Sequence, residues 1–166
     1  MKLYLQQKIF SFTTQFSIKD ETGNDKYFVK GELISLGKKL HLLNSGNQEI
    51  ALIQQQFISF LPKFKVLINN SEVAEIVKEF TVFKPKYRVN GLNWTIDGDF
   101  FGHDYQILSD GKALVSIHKK WMSWGDSYEV DIVPGTDEVM ALAVVLAIDC
   151  VLEAEQNSRS HSNSYN

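Results

Sequence analysis

Histidine, cysteine and carboxylate side chains are the residues of this 166-residue chain that could do chemistry. The only cysteine, Cys150, lies in an apolar stretch, where a thiol stays protonated and inert. The histidines are dispersed, at 41, 103, 118 and 161, with no zinc-binding pair, cysteine pair or glycine-rich phosphate loop. His103 precedes Asp104, as a base and its partner would, although their surroundings favour a turn. Because no nucleophile, base and orienting group occur together, we predict that the protein is not an enzyme.

Carboxylates offer the other candidates for chemistry. Asp97 and Asp99 flank a glycine and could present oxygen ligands to a cation, but three residues do not make a cage and the pattern is typical of a turn. Asp126 and Asp131 are interpreted in the same way. Asp149 differs, because a carboxylate in an apolar helix needs a partner or a shifted pKa. We expect it to lie at a barrel mouth or to accept a hydrogen bond from a strand tyrosine or tryptophan, and we predict no metal or cofactor.

An internal repeat predicts the strands that must position these residues. Six segments share a large apolar residue, three residues, a second large apolar anchor, one residue, and then Ile, Val or Leu. The last two anchors of each segment face the same side of a strand, since they are spaced by two; they are Phe16 and Ile18, Leu40 and Leu42, Phe64 and Val66, Tyr87 and Val89, Tyr105 and Ile107, and Tyr128 and Val130. Turns rich in Asn, Asp and Gly follow and lead to second strands at 26–30, 49–54, 72–78, 94–96 and 113–119. Residues 5–8 supply a further strand, which makes twelve.

Twelve hairpin-linked strands need a way to remove their edges, and closure into a barrel does this. A ring of that size encloses more space than strand side chains alone fill. The stretch from about Asp137 to Glu155 is apolar all round, with Thr136 as the expected N-cap, so this helix must be surrounded. We therefore predict a mainly β (α+β) fold, a twelve-stranded antiparallel closed barrel around a buried C-terminal helix. Residues 1–155 would form it, and 156–166 would be a disordered polar tail.

The strand alternation also predicts a basic outer wall. If the second anchor of each repeat points inward, the residues on either side of it point outward. In repeats two to four these outward residues are basic: Lys39, His41, Lys63, Lys65, Lys86 and Arg88. We predict that they bind an anionic ligand, at about 1 kcal/mol per cation near a charged surface. The alternative is a solvated strand face whose field is diluted by the glutamates of the intervening strands, namely Glu49, Glu72, Glu75 and Glu79.

Several strings of the chain resemble bacterial members of the LURP-one-related family over about residues 1–153: 35–41, 60–64, 79–87, 98–101, 124–130 and 141–149. The resemblance implies kinship with tubby C-terminal domains and phospholipid scramblases, whose fold is a twelve-stranded antiparallel barrel around a C-terminal helix. Tubby domains bind phosphoinositide head groups, so the resemblance implies such a ligand. The chain lacks the cysteine-rich palmitoylation stretch and the acidic calcium loop that scramblase activity would imply.

Composition limits the remaining function classes. Seventeen basic against twenty acidic residues, a net charge of −3, exclude a generally basic nucleic-acid binder. No secretory signal is recognised, and the longest apolar run, 139–148, falls short of the roughly 20 residues that span a bilayer, so we expect a cytoplasmic protein without a transmembrane helix. The leading hypothesis is a non-enzymatic module that binds an anionic phospholipid head group at a membrane surface. A soluble scaffold with a protein partner is the alternative, and lipid scrambling ranks last.

Overall fold

A computed structural model describes residues 1–6, 15–34, 37–57, 59, 61–79, 86–122 and 125–162. Over these residues the chain forms twelve strands followed by one helix. The strands are β1 (Lys2–Gln6), β2 (Gln15–Lys19), β3 (Asp25–Ile34), β4 (Gly37–Asn44), β5 (Glu49–Gln55), β6 (Lys63–Ile68), β7 (Ser71–Glu79), β8 (Lys86–Asn90), β9 (Trp94–Asp99), β10 (Asp104–Ser109), β11 (Lys112–Met122) and β12 (Gly125–Ile132). The helix is α1 (Glu138–Ser162).

The strands form one closed antiparallel barrel, as the repeat predicts. Each strand pairs with its neighbours in the chain, and β1 closes the ring by pairing with β12. In that closing pair Leu3 stands opposite Val130 and Leu5 opposite Tyr128, so four buried side chains seal the seam. Closure leaves no strand of the ring with an unpaired edge.

The anchors of the repeat form the inner face of the barrel. The second anchors of repeats two to six are buried, and Phe16 of the first repeat is half-buried. The predicted second strands are also confirmed, within β3, β5, β7, β9 and β11. Of the first large apolar residues of the six segments, those at 12, 36, 60, 83 and 124 lie outside the described residues, and Phe101 is 36% exposed and so not part of this face.

The helix passes through the barrel, and every residue from Ala141 to Leu152 is buried. Burial on all sides explains why the sequence of this helix lacks a polar stripe. The N-cap is Asp137, not the expected Thr136, because an Asp137 oxygen accepts a hydrogen bond from the Met140 N–H at 2.9 Å. The Thr136 N–H is engaged in the preceding turn, where it donates to the Val133 carbonyl.

The helix ends at Ser162 and not at the expected Glu155. Residues 156–162, assigned above to a disordered tail, therefore have a helical backbone. Neither glycine nor proline occurs after Gly135, so no residue stops the helix where the composition becomes polar. Residues 163–166 lie outside the described part of the chain, and a domain boundary at residue 155 stays a prediction.

The two ends of the barrel differ. At the end where the helix begins, here the turn end, β-hairpins close through short polar turns at 20–24, 45–48, 69–70, 91–93 and 110–111. Left-handed backbone conformations occur there at Asn47, Asn69, Asn70 and Asp110, residue types that tolerate them. At the other end, here the exit end, the polar residues Asp149, Glu153 and Glu155 of α1 come level with the strand connections. Loops at one end of a rigid scaffold commonly carry function, and the polar helix residues lie at the exit end, so we expect a functional site there.

Candidate functional site

The six predicted ligand-binding residues lie on the outer surface of three strands, Lys39 and His41 on β4, Lys63 and Lys65 on β6, and Lys86 and Arg88 on β8. Leu40, Phe64 and Tyr87, which lie between the two members of each pair, are buried, whereas the members themselves are not. This is the alternation expected of strands with one face on the core. The sequence therefore placed these side chains on the correct face of the barrel.

Glutamates on neighbouring strands pair with four of these six residues, and three of them lie on β4 and β6. Lys39 lies 3.5 Å from Glu32 of β3, and Lys65 lies 2.6 Å from Glu72 of β7. His41 approaches two carboxylates, Glu49 at 2.5 Å and Glu32 at 3.5 Å. The wall is thus a mixed surface of ion pairs around these positions, and its field on an approaching anion is weak.

The other three residues form a more open group, here called the basic triangle (Lys63, Lys86 and Arg88). Lys63 and Lys86 have no carboxylate within 4.0 Å among the described residues. Arg88 pairs with Glu79, yet its side chain remains 65% exposed. The register places Lys63 and Arg88 on either side of Val77, so their α-carbons are about 10 Å apart, and Lys86 lies about 7 Å from Arg88 along its strand.

An open groove runs beside the basic triangle. It has a volume of about 380 Å³ and is lined by Val77, Lys78, Glu79, Arg88 and Asn90. All five lining residues belong to the paired strands β7 and β8, and Arg88 is one of them. A concave surface with a cation at its rim can hold a small anionic group against the barrel.

Inside the exit end a second polar group surrounds Asp149, the carboxylate of the apolar helix. The Tyr128 hydroxyl of β12 donates a hydrogen bond to Asp149 Oδ2. The expectation of a bond from a strand tyrosine is therefore confirmed. The His103 ring lies with Nε2 at 3.6 Å from Asp149 Oδ1, and stacks on the Tyr128 ring with centroids 4.6 Å apart.

Three atoms of this group are buried and have no hydrogen-bond partner within the described chain: His103 Nδ1, Asp149 Oδ1 and the Tyr105 hydroxyl. Burial, and then the nearby Asp149 carboxylate, raise the pKa values of Tyr105 and Tyr128 well above the usual value for tyrosine. Both phenols therefore stay protonated and can only serve as neutral hydrogen-bonding groups. The same two causes raise the pKa of Cys150, which agrees with its interpretation as an inert core residue.

The His103-Asp104 pair is divided between the inside and outside of the barrel. His103 reaches Asp149 in the interior, whereas Asp104 accepts a contact at 2.9 Å from His118 Nδ1 on the exposed surface. The interpretation of these residues as only a turn pair missed the partner of His103. No local pattern in the sequence identified this contact, because His103 lies in a turn with a positive φ angle, where strand alternation does not apply.

The carboxylates interpreted as turn residues lie on strands. Asp97 and Asp99 are in β9, and Asp126 and Asp131 are in β12. The glycine between the first two, Gly98, supplies close contact with a neighbouring strand rather than a turn: a Cβ there would meet the Asp104 carbonyl oxygen and Tyr105 Cα at 2.6 Å. Over the described residues no group of three histidine, cysteine or acidic side chains is placed to hold a metal ion.

Two further acidic residues tie the helix to the exit end. The Tyr87 hydroxyl of β8 donates to Glu155 Oε1 at 2.9 Å, and Lys78 of β7 lies 3.0 Å from the other oxygen. Two residues earlier in the helix, Glu153 lies 4.0 Å from Lys38 of β4. Together with Asp149, these contacts attach the end of the buried part of α1 to four different strands.

Comparison with known proteins identifies the fold. The LURP-one-related family model matches residues 1–149. The chain belongs to the LURP-one-related family. Among its relatives is the uncharacterised protein YxjI of Bacillus subtilis (strain 168), 34% identical over 157 residues that cover 95% of this chain and 97% of that protein. A solved protein structure from Arabidopsis thaliana has a TM-score of 0.66 and 15% identity, covers 90% of each chain, and confirms the fold alone.

In this LURP-one-related barrel the stability should depend on pH through Glu153. Burial raises the pKa of Glu153 to about 7, against the opposing effect of Lys38. The folded protein therefore holds a proton that the unfolded chain releases near pH 4.5, and stability falls as the pH rises from about 4.5 to about 7. Urea unfolding should show that the free energy of unfolding of Glu153→Gln, relative to that of the parent protein, rises by about 1 kcal/mol between pH 5 and pH 8, after allowance for solvent screening.

Glu72→Gln is the matched control for this LURP-one-related protein, because Glu72 is an exposed partner of a lysine. Its difference from the parent protein should stay constant over the same pH range. A Glu153→Gln difference that does not change with pH would show that this carboxyl is ionised in the folded protein at pH 5.

Across the described part of the chain, no helix has both the length and the hydropathy of a membrane span.

Proposed function

We propose that this LURP-one-related protein is a non-enzymatic binding module that recognises an anionic ligand, such as a phospholipid head group at a membrane surface, through the basic triangle. The observation that carries the proposal is the arrangement of Lys63, Lys86 and Arg88 on one outward face. Two of these cations have no carboxylate partner in the described residues, and the third keeps most of its surface in water.

The chemistry of the triangle suits a phosphate. An arginine guanidinium can offer two parallel N–H donors to a phosphate, and lysine ammonium groups add compact charge on either side. Separations of about 7 to 10 Å between the α-carbons allow long side chains to converge on one anionic group. Glu79 is the nearest competitor for Arg88, but an exposed ion pair of this kind is worth only about 0–1 kcal/mol, so exchange of the carboxylate for a phosphate costs little.

The distribution of charge along the barrel favours an approach from the exit end. Lys63 and Lys86 are the first residues of β6 and β8, and both strands begin at that end. The turn end carries more carboxylates than lysines: Asp20, Glu21, Asp25, Asp110, Asp137 and Glu138 against Lys19, Lys26 and Lys112. An anionic membrane would attract the first end and repel the second, which orients the protein although its net charge is −3.

The proposal is tested by sedimentation with vesicles of phosphatidylcholine alone and with 30% anionic lipid, at low salt. Binding to the anionic vesicles should exceed binding to neutral ones, and the double variant Lys63→Gln/Lys86→Gln should bind them about 30-fold more weakly. This figure follows from about 1 kcal/mol for each cation removed from a charged surface. Raising the salt to 0.5 M should abolish the difference between the vesicle types.

The matched control is Lys39→Gln/Lys65→Gln, which makes the same change in net charge but removes lysines that already pair with glutamates. It should weaken binding by less than about threefold. Equal losses in the two double variants would mean that binding follows net charge and not the basic triangle. Equal binding of the parent protein to neutral and anionic vesicles at low salt would refute recognition of an anionic surface.

A soluble scaffold that binds a protein partner is the second candidate, and two exposed aromatic residues favour it. Phe57 is 50% exposed and Phe101 is 36% exposed, and both lie in connections at the exit end. Large aromatic side chains are enriched at the centres of protein interfaces. Two results together would favour the scaffold: the parent protein does not bind anionic vesicles, and it captures a protein partner that the Phe57→Ser variant no longer captures.

A further inference from the structure

We propose that His103 and Asp149 form a pH-sensitive latch that holds the β9–β10 turn, residues 100–103, against the central helix. The latch is separate from the basic triangle and does not depend on the proposed function. Its components come from three parts of the chain that the fold brings together: the turn itself, strand β12 and helix α1.

The first observation is the backbone of His103. Its φ angle is +51°, in the left-handed region that glycine and asparagine adopt easily and that costs most other residues free energy. The other non-glycine residues with positive φ among those described are Asn47, Asn69, Asn70 and Asp110, all in polar turns at the turn end. Histidine is found in this region more often than most non-glycine residues, and contacts of its side chain can offset the remaining cost.

The second observation supplies those contacts. The imidazole stacks on the Tyr128 ring, and Nε2 faces Asp149 Oδ1 at 3.6 Å. The carboxylate is almost fully buried, and the His103 side chain is 13% exposed, so the ring covers Asp149 from the solvent side. Holding the imidazole there also holds the turn, whose chain is tied locally by the bond from the Gly102 N–H to Asp99.

The third observation concerns the charges around the ring. Asp149 on α1 and Tyr128 on β12 contact the ring, and the Tyr105 hydroxyl of β10 lies near enough to Asp149 for the carboxylate to raise its pKa, so both phenols are neutral. The carboxylates next to the turn are engaged elsewhere, Asp99 with the Gly102 N–H and Asp104 with His118. Farther along the helix, Glu153 faces Lys38, and neither lies within ion-pair distance of His103. Among the described residues, Asp149 is the one carboxylate within 4.0 Å of His103, so a protonated ring gains an ion pair in a low-dielectric setting. A neutral ring keeps the stacking contact on Tyr128, because 3.6 Å is too long for a hydrogen bond.

These features give the direction of the switch. Histidine is the side chain that ordinarily changes charge between about pH 5 and pH 8. His103 Nδ1 has no hydrogen-bond partner among the described residues, so the Nε2 contact with Asp149 is the polar interaction of the ring that its charge would strengthen. The turn is held more tightly when the ring is protonated, and it is released toward solvent as the pH rises.

The test is hydrogen exchange of the backbone amides of residues 101–104 in the full chain, corrected for the intrinsic effect of pH on exchange. In the parent protein, protection should fall about tenfold between pH 5.5 and pH 8. In His103→Asn, which tolerates the same backbone but cannot become charged, protection should change less than twofold. It should also be about tenfold lower than in the parent protein at pH 5.5.

Three further variants separate the latch from simpler explanations. His103→Gly relieves the backbone and should still lower protection at pH 5.5, whereas a residue that only forms a turn would become better protected. His118→Asn removes the exposed histidine that pairs with Asp104 and should leave the pH dependence intact. Asp149→Asn keeps an acceptor for Tyr128 but removes the charge, and should abolish the pH dependence. Persistence of the tenfold change in His103→Asn, or its absence from the parent protein, would overturn the proposal.

Discussion

Replacing Leu146 with alanine is expected to lower the free energy of unfolding by about 3 kcal/mol, because the side chain lies on the part of α1 that the barrel surrounds. Leu146 has no exposed surface, and its neighbours on the helix are buried on every side. Strands that form a closed ring cannot collapse freely into the space left behind, so the cavity should persist and add to the lost transfer free energy. Urea unfolding followed by tryptophan fluorescence would measure the change.

Val133→Ala provides the control for the helix substitution. Val133 is 44% exposed just before the helix, and its truncation should change stability by less than about 0.5 kcal/mol. A loss below about 1 kcal/mol in Leu146→Ala would contradict the placement of the helix inside the barrel.

Gly98→Ala should cost a similar amount, about 3 kcal/mol, for a reason that belongs to the backbone. Gly98 has a φ of +128°, and it stands directly opposite Tyr105 in the β9–β10 pair. An added Cβ would lie 2.6 Å from the Asp104 carbonyl oxygen and from Tyr105 Cα, and neither atom belongs to a flexible side chain. The strand pair must therefore separate locally, in addition to the strain of the left-handed backbone. Thermal unfolding would detect the loss as a fall in Tm of several degrees.

Gly111→Ala isolates the backbone part of this effect. Gly111 has a φ of +74°, and no atom lies within 4 Å of the position of its Cβ, so only conformational strain is added. It should cost about 1 kcal/mol. Equal losses at the two glycines would show that the strand contact at Gly98 can relax.

The barrel could be predicted from the sequence because the alternation of apolar and polar residues along each strand indicates which side faces the core. Pairs such as Phe64 and Val66 are spaced by two, and the polar turns between them set the strand order, since consecutive strands joined by short turns pair with each other. The position of the helix could be predicted because a helix without a polar stripe is stable in a globular protein only when other elements cover it on every side. Both inferences need only local pattern and burial.

The details of the site depend on which side chains meet across the barrel, and local pattern does not encode this. The outward direction of Lys39 followed from alternation, but its pairing with Glu32 depends on the register between β3 and β4. The sequence indicated that Asp149 needed a partner, yet the contact with His103 requires the curvature of the closed ring and a left-handed turn residue. The turn interpretation of Asp97 and Asp99 was wrong because glycine is permitted in a turn and in a close strand contact alike.

The pairing of β1 with β12 has a consequence for how the molecule assembles. Lys2 and Glu129 meet across that seam although they are 127 positions apart in the chain. Such a contact carries a large loop-closure entropy, so it forms late and slowly unless the intervening hairpins have already brought its ends together. The hairpins of the turn end are local and can nucleate early, whereas closure of the ring around the helix needs non-local contacts. Until β1 pairs with β12, the apolar inner face of the sheet is open to solvent, so we expect the efficiency of refolding to fall as the protein concentration rises.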